Sequence, residues 1–422
     1  MKSLALVVAL FTLGAACGKE VEPAPTAPKA PAVAPIAGPV KAPQDPSVIK
    51  IVSSLPRTGS AKAQTDTIVN GIRMAFEDAG WKVGSFTIKY EDLDDATAAE
   101  GKWTAEKEAA NADQAISDPD VMVYIGTYNS GAAEVSIPKL NRHNILMISP
   151  ANTWPGLTKP GKGKPGEPEK YRPSGKVNYT RVVPADDMQG PVGADWTKKM
   201  GAKKVYIIHD NEVYGKGIAE LYQERAKQIG LKVLGFDGID ASQQEFKALM
   251  VKVKAAGPDL IYFGGTTQTK AGQIAKDIVA VGMDVKYMVP DGCFEDAFIE
   301  AAGADALNNR AFVTFGGLPP EKLTGKGKTF VEKYKAKYGG DPEGYAVYGY
   351  DAAAAALEAI KIAGKKDRNA IREAALKIKD FDGALGKWSF DKNGDTTLKT
   401  MSGQMVKDGR FQFATLLGGD ED

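Results

Sequence analysis

The chain predicts an α/β protein made of two halves of similar design. Short apolar runs alternate with helical periodicities from Ile49 onward, the alternation breaks at a Gly/Pro/Lys-rich stretch (residues 159–176), and it then restarts. Within 422 residues each half approaches domain size, with length enough for a substantial core.

The first half opens on "VIKIVSSL", a short apolar strand. Ile68, Ile72 and Phe76 then recur every four residues, one helical face that stops before Gly80. "FTIKYEDL" is the second strand, and an Ala-rich helix runs towards Ile116. "VMVYIG" is the third, a helix opens near Ser130, and "ILMIS" is the fourth. Parallel strands joined by crossover helices satisfy this order.

The second half repeats the plan. "KVYIIHD" is a buried strand, and Ile218, Leu221, Tyr222 and Ile229 line the next helix. "KVLGFDGI" follows, then a helix with Phe246, Met250 and Val253, then the strand "DLIYFGG". A helix carrying Ile274, Ile278 and Val281 leads to "VKYMVPDG". The strand "AFVTF" near Phe312 precedes two more helices, around residues 330–338 and 345–362. Sheets of this kind bind ligands beyond the carboxyl ends of their strands, where helix N-termini point. Periodicity alone would suit many two-domain enzymes equally.

The N-terminus reads as an address. Lys2 provides positive charge and residues 4–13 an apolar segment too short to span a bilayer. Gly14, Ala15 and Ala16 then precede Cys17, which resembles the bacterial lipobox, although Gly14 stands where Leu is usual. Cys17 is thus the expected lipidation site, with residues 1–16 as signal peptide; ordinary cleavage after Ala16 is the alternative. Residues 17–47 are rich in Pro and Ala, cannot bury a core, and form an extended tether of about 90 Å at most.

Composition removes other classes. The 54 basic and 53 acidic residues balance, and no basic run interleaved with aromatics suggests a nucleic-acid partner. Two cysteines, Cys17 and Cys293, offer no disulfide framework, and the isolated His143 and His209 no zinc site. The acidic group Glu91, Asp92, Asp94 and Asp95 lacks calcium-loop spacing. "DKNGD" (residues 391–395) reads as a turn with Asn393 and Gly394 at positive φ. Cys293 has no neighbouring histidine to activate it, and no GxSxG or HExxH motif points to an enzyme.

"YIGTYNSGAAEVSIPKLNRHNILMISPANTWPGLT", "IIHDNEVYGKG", "DLIYFGG", "MVPDG", "VYGYDAAAAALEAI" and "GKWSFDKNGD" follow one another in an order that resembles the leucine/isoleucine/valine-binding protein family, from about Ile49 to Gln412. The resemblance implies the type I periplasmic-binding-protein fold: two Rossmann-like lobes joined by three crossovers, residues 48–183 with 314–387 and residues 184–313 with 388–422. It implies an amino-acid-like ligand between the lobes, no cofactor, and an ABC permease and ATPase as partners. A sensor module working with a separate receptor protein is the alternative function.

The resemblance also carries roles onto single residues. Ser130, expected to cap its helix, would hold a ligand carboxylate with the helix N-terminus; Ser is equally common as a purely structural cap. The Ala151 main chain and the Thr153 hydroxyl would complete that site, and Tyr214 would line the second lobe. Asp291, where the family often has Glu, would accept from the ligand ammonium, unless it only begins a turn. The ligand the resemblance implies is a branched-chain or related amino acid; Thr266 and Gln64 stand where leucine binders often carry aromatics, which weakens the case for a branched aliphatic side chain and admits a more polar amino acid, amide or urea-like solute. The stretch of residues 159–176 exceeds that of the leucine binders and reads as a surface loop.

Overall fold

The structure, a computed structural model, describes residues 45–418. The signal segment, Cys17 and most of the tether lie outside the described residues.

The first half follows the expected alternation: β1 (Val48–Leu55), α1 (Lys62–Asp78), β2 (Lys82–Val83), β3 (Phe86–Asp94), α2 (Ala105–Ser117), β4 (Val121–Gly126), α3 (Ser130–Arg142), β5 (Leu146–Ser149) and β6 (Tyr179–Arg181). Its sheet runs β2-β3-β1-β4-β5-β6, with β1 parallel to both β3 and β4. The apolar runs become parallel strands because helices cover both faces, and Ile49, Ile51, Val123 and Ile125 are fully buried.

The chain then enters the second half with α4 (Asp186–Lys199), β7 (Lys204–His209), α5 (Val213–Gln228), β8 (Lys232–Gly238), α6 (Lys247–Ala256), β9 (Leu260–Gly264), α7 (Ala271–Ala280), β10 (Lys286–Val289), α8 (Asp296–Ala302), α9 (Ala304–Leu307) and β11 (Ala311–Phe315). It returns to the first half for α10 (Gly325–Tyr338), α11 (Ala346–Ala363), α12 (Arg368–Ala375) and the small hairpin β12 (Phe381–Gly383) and β13 (Gly386–Trp388). A last passage delivers β14 (Met401–Lys407) and β15 (Arg410–Leu417) to the second sheet, whose order is β15-β14-β11-β10-β9-β7-β8.

The return is cemented by close helix packing. A Cβ on Gly71 of α1 would lie 2.1 Å from the carbonyl oxygen of Ala346, and one on Gly349 of α11 would lie 2.3 Å from that of Ile68. Only glycine lets these two helices approach so nearly. The β14–β15 hairpin turns on Asp408 and Gly409, both at positive φ, the signature of a two-residue turn that matches strand twist. In the 391–395 turn Gly394 has positive φ but Asn393 does not, so glycine alone supplies that freedom.

Candidate functional site

Loops leaving the carboxyl ends of β4, β5, β9 and β10 meet in one cleft, together with the first turn of α5 and the residue before α11. Tyr128, Ser130, Ala151, Tyr214, Thr266, Asp291 and Tyr345 line a cavity there of about 20 Å³, room for about one water molecule. It is narrow because the two halves touch. Gln64 donates to the Phe294 carbonyl at 3.1 Å, Asn129 to the Gln268 side-chain carbonyl at 3.2 Å, and Lys102 pairs with Glu212 at 3.0 Å.

Asp291 is the hub. It stands just beyond β10, 2 % exposed, and its carboxylate accepts from Gln189 Nε2 at 2.9 Å and from the hydroxyls of Tyr214 and Tyr345. Tyr345 comes from the first half and the other three from the second, so this cluster bridges the cleft. Burial raises the Asp291 carboxyl, while the three donors work against the rise. Asp186, at the first turn of α4, lies close enough for the Asp291 charge to act on it. Burial and then that charge push Asp186 well upward, while the nearby Thr153 hydroxyl works against the rise.

Opposite Asp291, α3 begins. Ser130 is its first residue rather than its cap: Asn129 holds the cap position, with no side-chain capping bond, and its carbonyl accepts from Ala132 and Ala133. The Ser130 hydroxyl accepts from the Trp154 N–H at 3.3 Å. A helix start adds its unpaired N–H groups to such a hydroxyl, a setting that favours an anion.

Of the residues expected from sequence, Ser130, Ala151, Tyr214, Thr266 and Asp291 come together on the cavity. Thr153 and Gln64 are not in its lining. Thr153 is buried, with its hydroxyl near the Asp186 carboxyl and its carbonyl accepting from the Asp186 N–H at 2.9 Å. Gln64 is turned onto Phe294. Sequence reasoning missed Gln189, Tyr128 and Tyr345. Tyr345 stands just before a helix after a loop, as Tyr214 nearly does, and that placement was the available signal.

The 159–176 stretch is not merely a surface loop. It carries Glu167, whose carboxylate accepts from Trp154 Nε1 at 3.0 Å, Lys164 N–H at 2.8 Å and Tyr171 hydroxyl at 2.8 Å. Trp154, fixed in this way, lies against α5 of the other half: a Cβ on Gly217 would sit 2.4 Å from its ring.

Two parallel α/β units facing each other across a polar cleft, with the chain passing between them three times, define a bilobal solute-binding protein. Residues 48–410 match the family described as periplasmic binding protein, and the chain belongs to that family. It is 29% identical over 343 residues to an amino acid binding protein of Pseudomonas aeruginosa, covering 81% of this chain and 85% of that one. It is 28% identical over 372 residues to Leu/Ile/Val-binding protein homolog 2 of Brucella abortus, covering 85% and 91%. Among solved structures it resembles the leucine binding protein LivK of Thermotoga maritima, with a TM-score of 0.78, 27% identity, and 88% of this chain and 99% of that chain covered. It also resembles the branched-chain amino acid transporter substrate binding protein LivJ of Streptococcus pneumoniae in complex with isoleucine, with a TM-score of 0.75, 25% identity, and coverage of 87% and 99%. The resemblance to the leucine/isoleucine/valine-binding proteins and the type I fold read from the sequence are thus both borne out. Among the described residues no helix is long and apolar enough to cross a membrane.

Proposed function

We propose that the protein captures an α-amino acid between its two lobes and presents it to an ABC permease and ATPase, outside the cytoplasm, on a lipid carried by Cys17. The observation that carries this reading is the meeting, in one cavity, of the start of α3 with Ser130 and the carboxylate of Asp291. The first suits an α-carboxylate and the second an α-ammonium. Ala151 lies at the same edge, and two residues on stands the buried Thr153, whose hydroxyl lies beside the Asp186 carboxyl. Tyr214 and Thr266 supply the second-lobe wall.

The lobes (residues 48–183 with 314–387, and 184–313 with 388–422) part and close about the three passages between them. Opening separates Tyr345 from Asp291 and frees that carboxylate; closing around an amino acid buries it, and the closed form is what a permease would read. A cavity of about 20 Å³ admits no amino acid without such opening.

Thermal unfolding of the full chain against a panel of amino acids, amides and sugars tests the reading. A ligand at a hundred times its dissociation constant stabilises the fold by about 2.7 kcal/mol. One amino-acid class should shift the melting temperature, and Ser130→Ala should weaken that ligand at least fivefold. A panel without any responding α-amino acid would sink the proposal. For the anchor, Cys17→Ser should abolish incorporation of a labelled fatty acid; unchanged labelling would rule the anchor out.

A further inference from the structure

Behind the cavity wall formed by Tyr128 and Gly292 lies a group of buried polar atoms that the protein satisfies poorly. Glu295 is fully buried, and neither of its carboxylate oxygens makes a close hydrogen bond, although the Thr267 hydroxyl lies near enough to act on it. Gln64, also fully buried, donates its Nε2 to the Phe294 carbonyl, which sets its side chain against the residue preceding Glu295 and leaves its Oε1 unpaired. The Tyr128 hydroxyl is buried and unpaired too, and the buried Thr267 hydroxyl has only the Glu295 carboxyl and the Cys293 thiol beside it.

These four groups flank one short stretch of chain, residues 292–295. Thr267 donates its N–H to the Gly292 carbonyl at 3.2 Å. The negative charges that act most strongly on the Tyr128 hydroxyl are those of Glu295 and then Asp291, and Tyr128 itself lines the cavity. Buried polar atoms in folded proteins nearly always have partners, so several orphans in one place mark a partner yet to arrive.

Their chemistry is one-sided. An amide oxygen only accepts, a hydroxyl accepts as readily as it donates, and Glu295 becomes acceptor-only once a bound cation draws off its proton. Burial lifts the Glu295 carboxyl to about 8 against the pull of the Thr267 hydroxyl, and the charges acting on it, Glu343 and Asp296, are both negative. A branched alkyl group laid here would cover the four groups and satisfy none.

We infer that the ligand's side chain ends in N–H donors, an ammonium, guanidinium or carboxamide, that reach Glu295, Gln64 and Tyr128. This rests on the amino-acid reading above and names the side chain that reading leaves open. A cationic end answers the local charge as well as the hydrogen bonds.

Titration calorimetry of the full chain at pH 7 with lysine, arginine, glutamine, leucine and isoleucine decides it. At least one N–H-bearing amino acid should bind tenfold or more tightly than leucine. Glu295→Gln should weaken a basic ligand tenfold or more, and Gln64→Leu should weaken either kind, so the test survives if one variant fails to fold. Glu295 is mostly protonated at pH 7 with its carboxyl near 8, and a bound cation would draw it to the ionised form. A basic ligand should therefore release up to one proton, seen as a heat that varies with the buffer's ionisation enthalpy; glutamine should release none. Leucine or isoleucine binding as tightly as any N–H-bearing amino acid overturns this inference and leaves the amino-acid reading standing. Binding of the best N–H-bearing ligand left unchanged by both variants overturns it as well. An absence of binding across the panel overturns both.

Discussion

Arg181 is fully buried and divides its guanidinium among four acceptors: Asp395 Oδ1 at 2.6 Å, the carbonyls of Asn152 at 3.1 Å and Trp154 at 2.8 Å, and the Thr158 hydroxyl. It thereby ties the 391–395 turn to the loop that carries Ala151 and Trp154. Removing one member of such a pair strands the other's charge in the interior, at a cost of about 3–5 kcal/mol. Arg181→Met should lower stability by that much in denaturant unfolding, and Arg181→Met with Asp395→Leu should recover part of it; equal stability of the single variant and the native chain would contradict this role. The cleft was only partly legible at this level. Ser130 and Asp291 sit in words whose neighbours fix their place at a strand's end. Gln189 sits inside a helix and Tyr345 at the start of one, and their value lies in meeting Asp291 across 102 and 54 residues of chain, a pairing no local pattern encodes.

Helix α5 meets the other lobe through Gly217, where the Trp154 ring occupies the space a side chain would need. Alanine is a better helix former than glycine by about 1 kcal/mol, so Gly217→Ala should leave the fold as stable or more so. It should nevertheless hold the lobes apart, weakening ligand affinity tenfold or more and enlarging the liganded particle in X-ray scattering. Unaltered affinity and dimensions would mean that this contact plays no part in closure. Trp154 escaped sequence reasoning because its anchor, Glu167, lies in a Gly/Pro/Lys-rich stretch that reads as solvent-facing. The parallel strands were legible because both sheet faces are covered, which writes them as continuous Val/Ile runs. Helix α12 was not, being too short for its periodicity to stand out. The β14–β15 hairpin did leave a signal, Asp408-Gly409 between alternating apolar residues, that the reading passed over.

The molecule as a whole buries acids whose carboxyls are pushed upward chiefly by desolvation: Asp210, Glu108 and Glu343 to about 7, and Asp351 to about 6. The unfolded chain releases these protons near pH 4–4.5 and the folded chain only later, so the folded state holds more protons across that window. Stability is therefore greatest below it and falls as pH rises towards 7. The melting temperature should drop by several degrees between pH 5 and 8, and Glu108→Gln should flatten the slope; a flat or rising profile in the native chain would contradict the burial argument. Strand order has a further bearing on how such a chain comes into being. Threaded amino end first through a channel, it cannot seal the first lobe until α11 emerges to cover α1, nor the second until β14 reaches the edge of β11. The first lobe thus stays unfinished until α11 is through and the second until β14 is, with an apolar helix face and an open sheet edge exposed in turn to whatever surrounds the exit. The arrival of β14 and β15 sets the moment at which the second lobe becomes resistant to proteolysis, and a chain cut short before them would carry one covered lobe beside an open one.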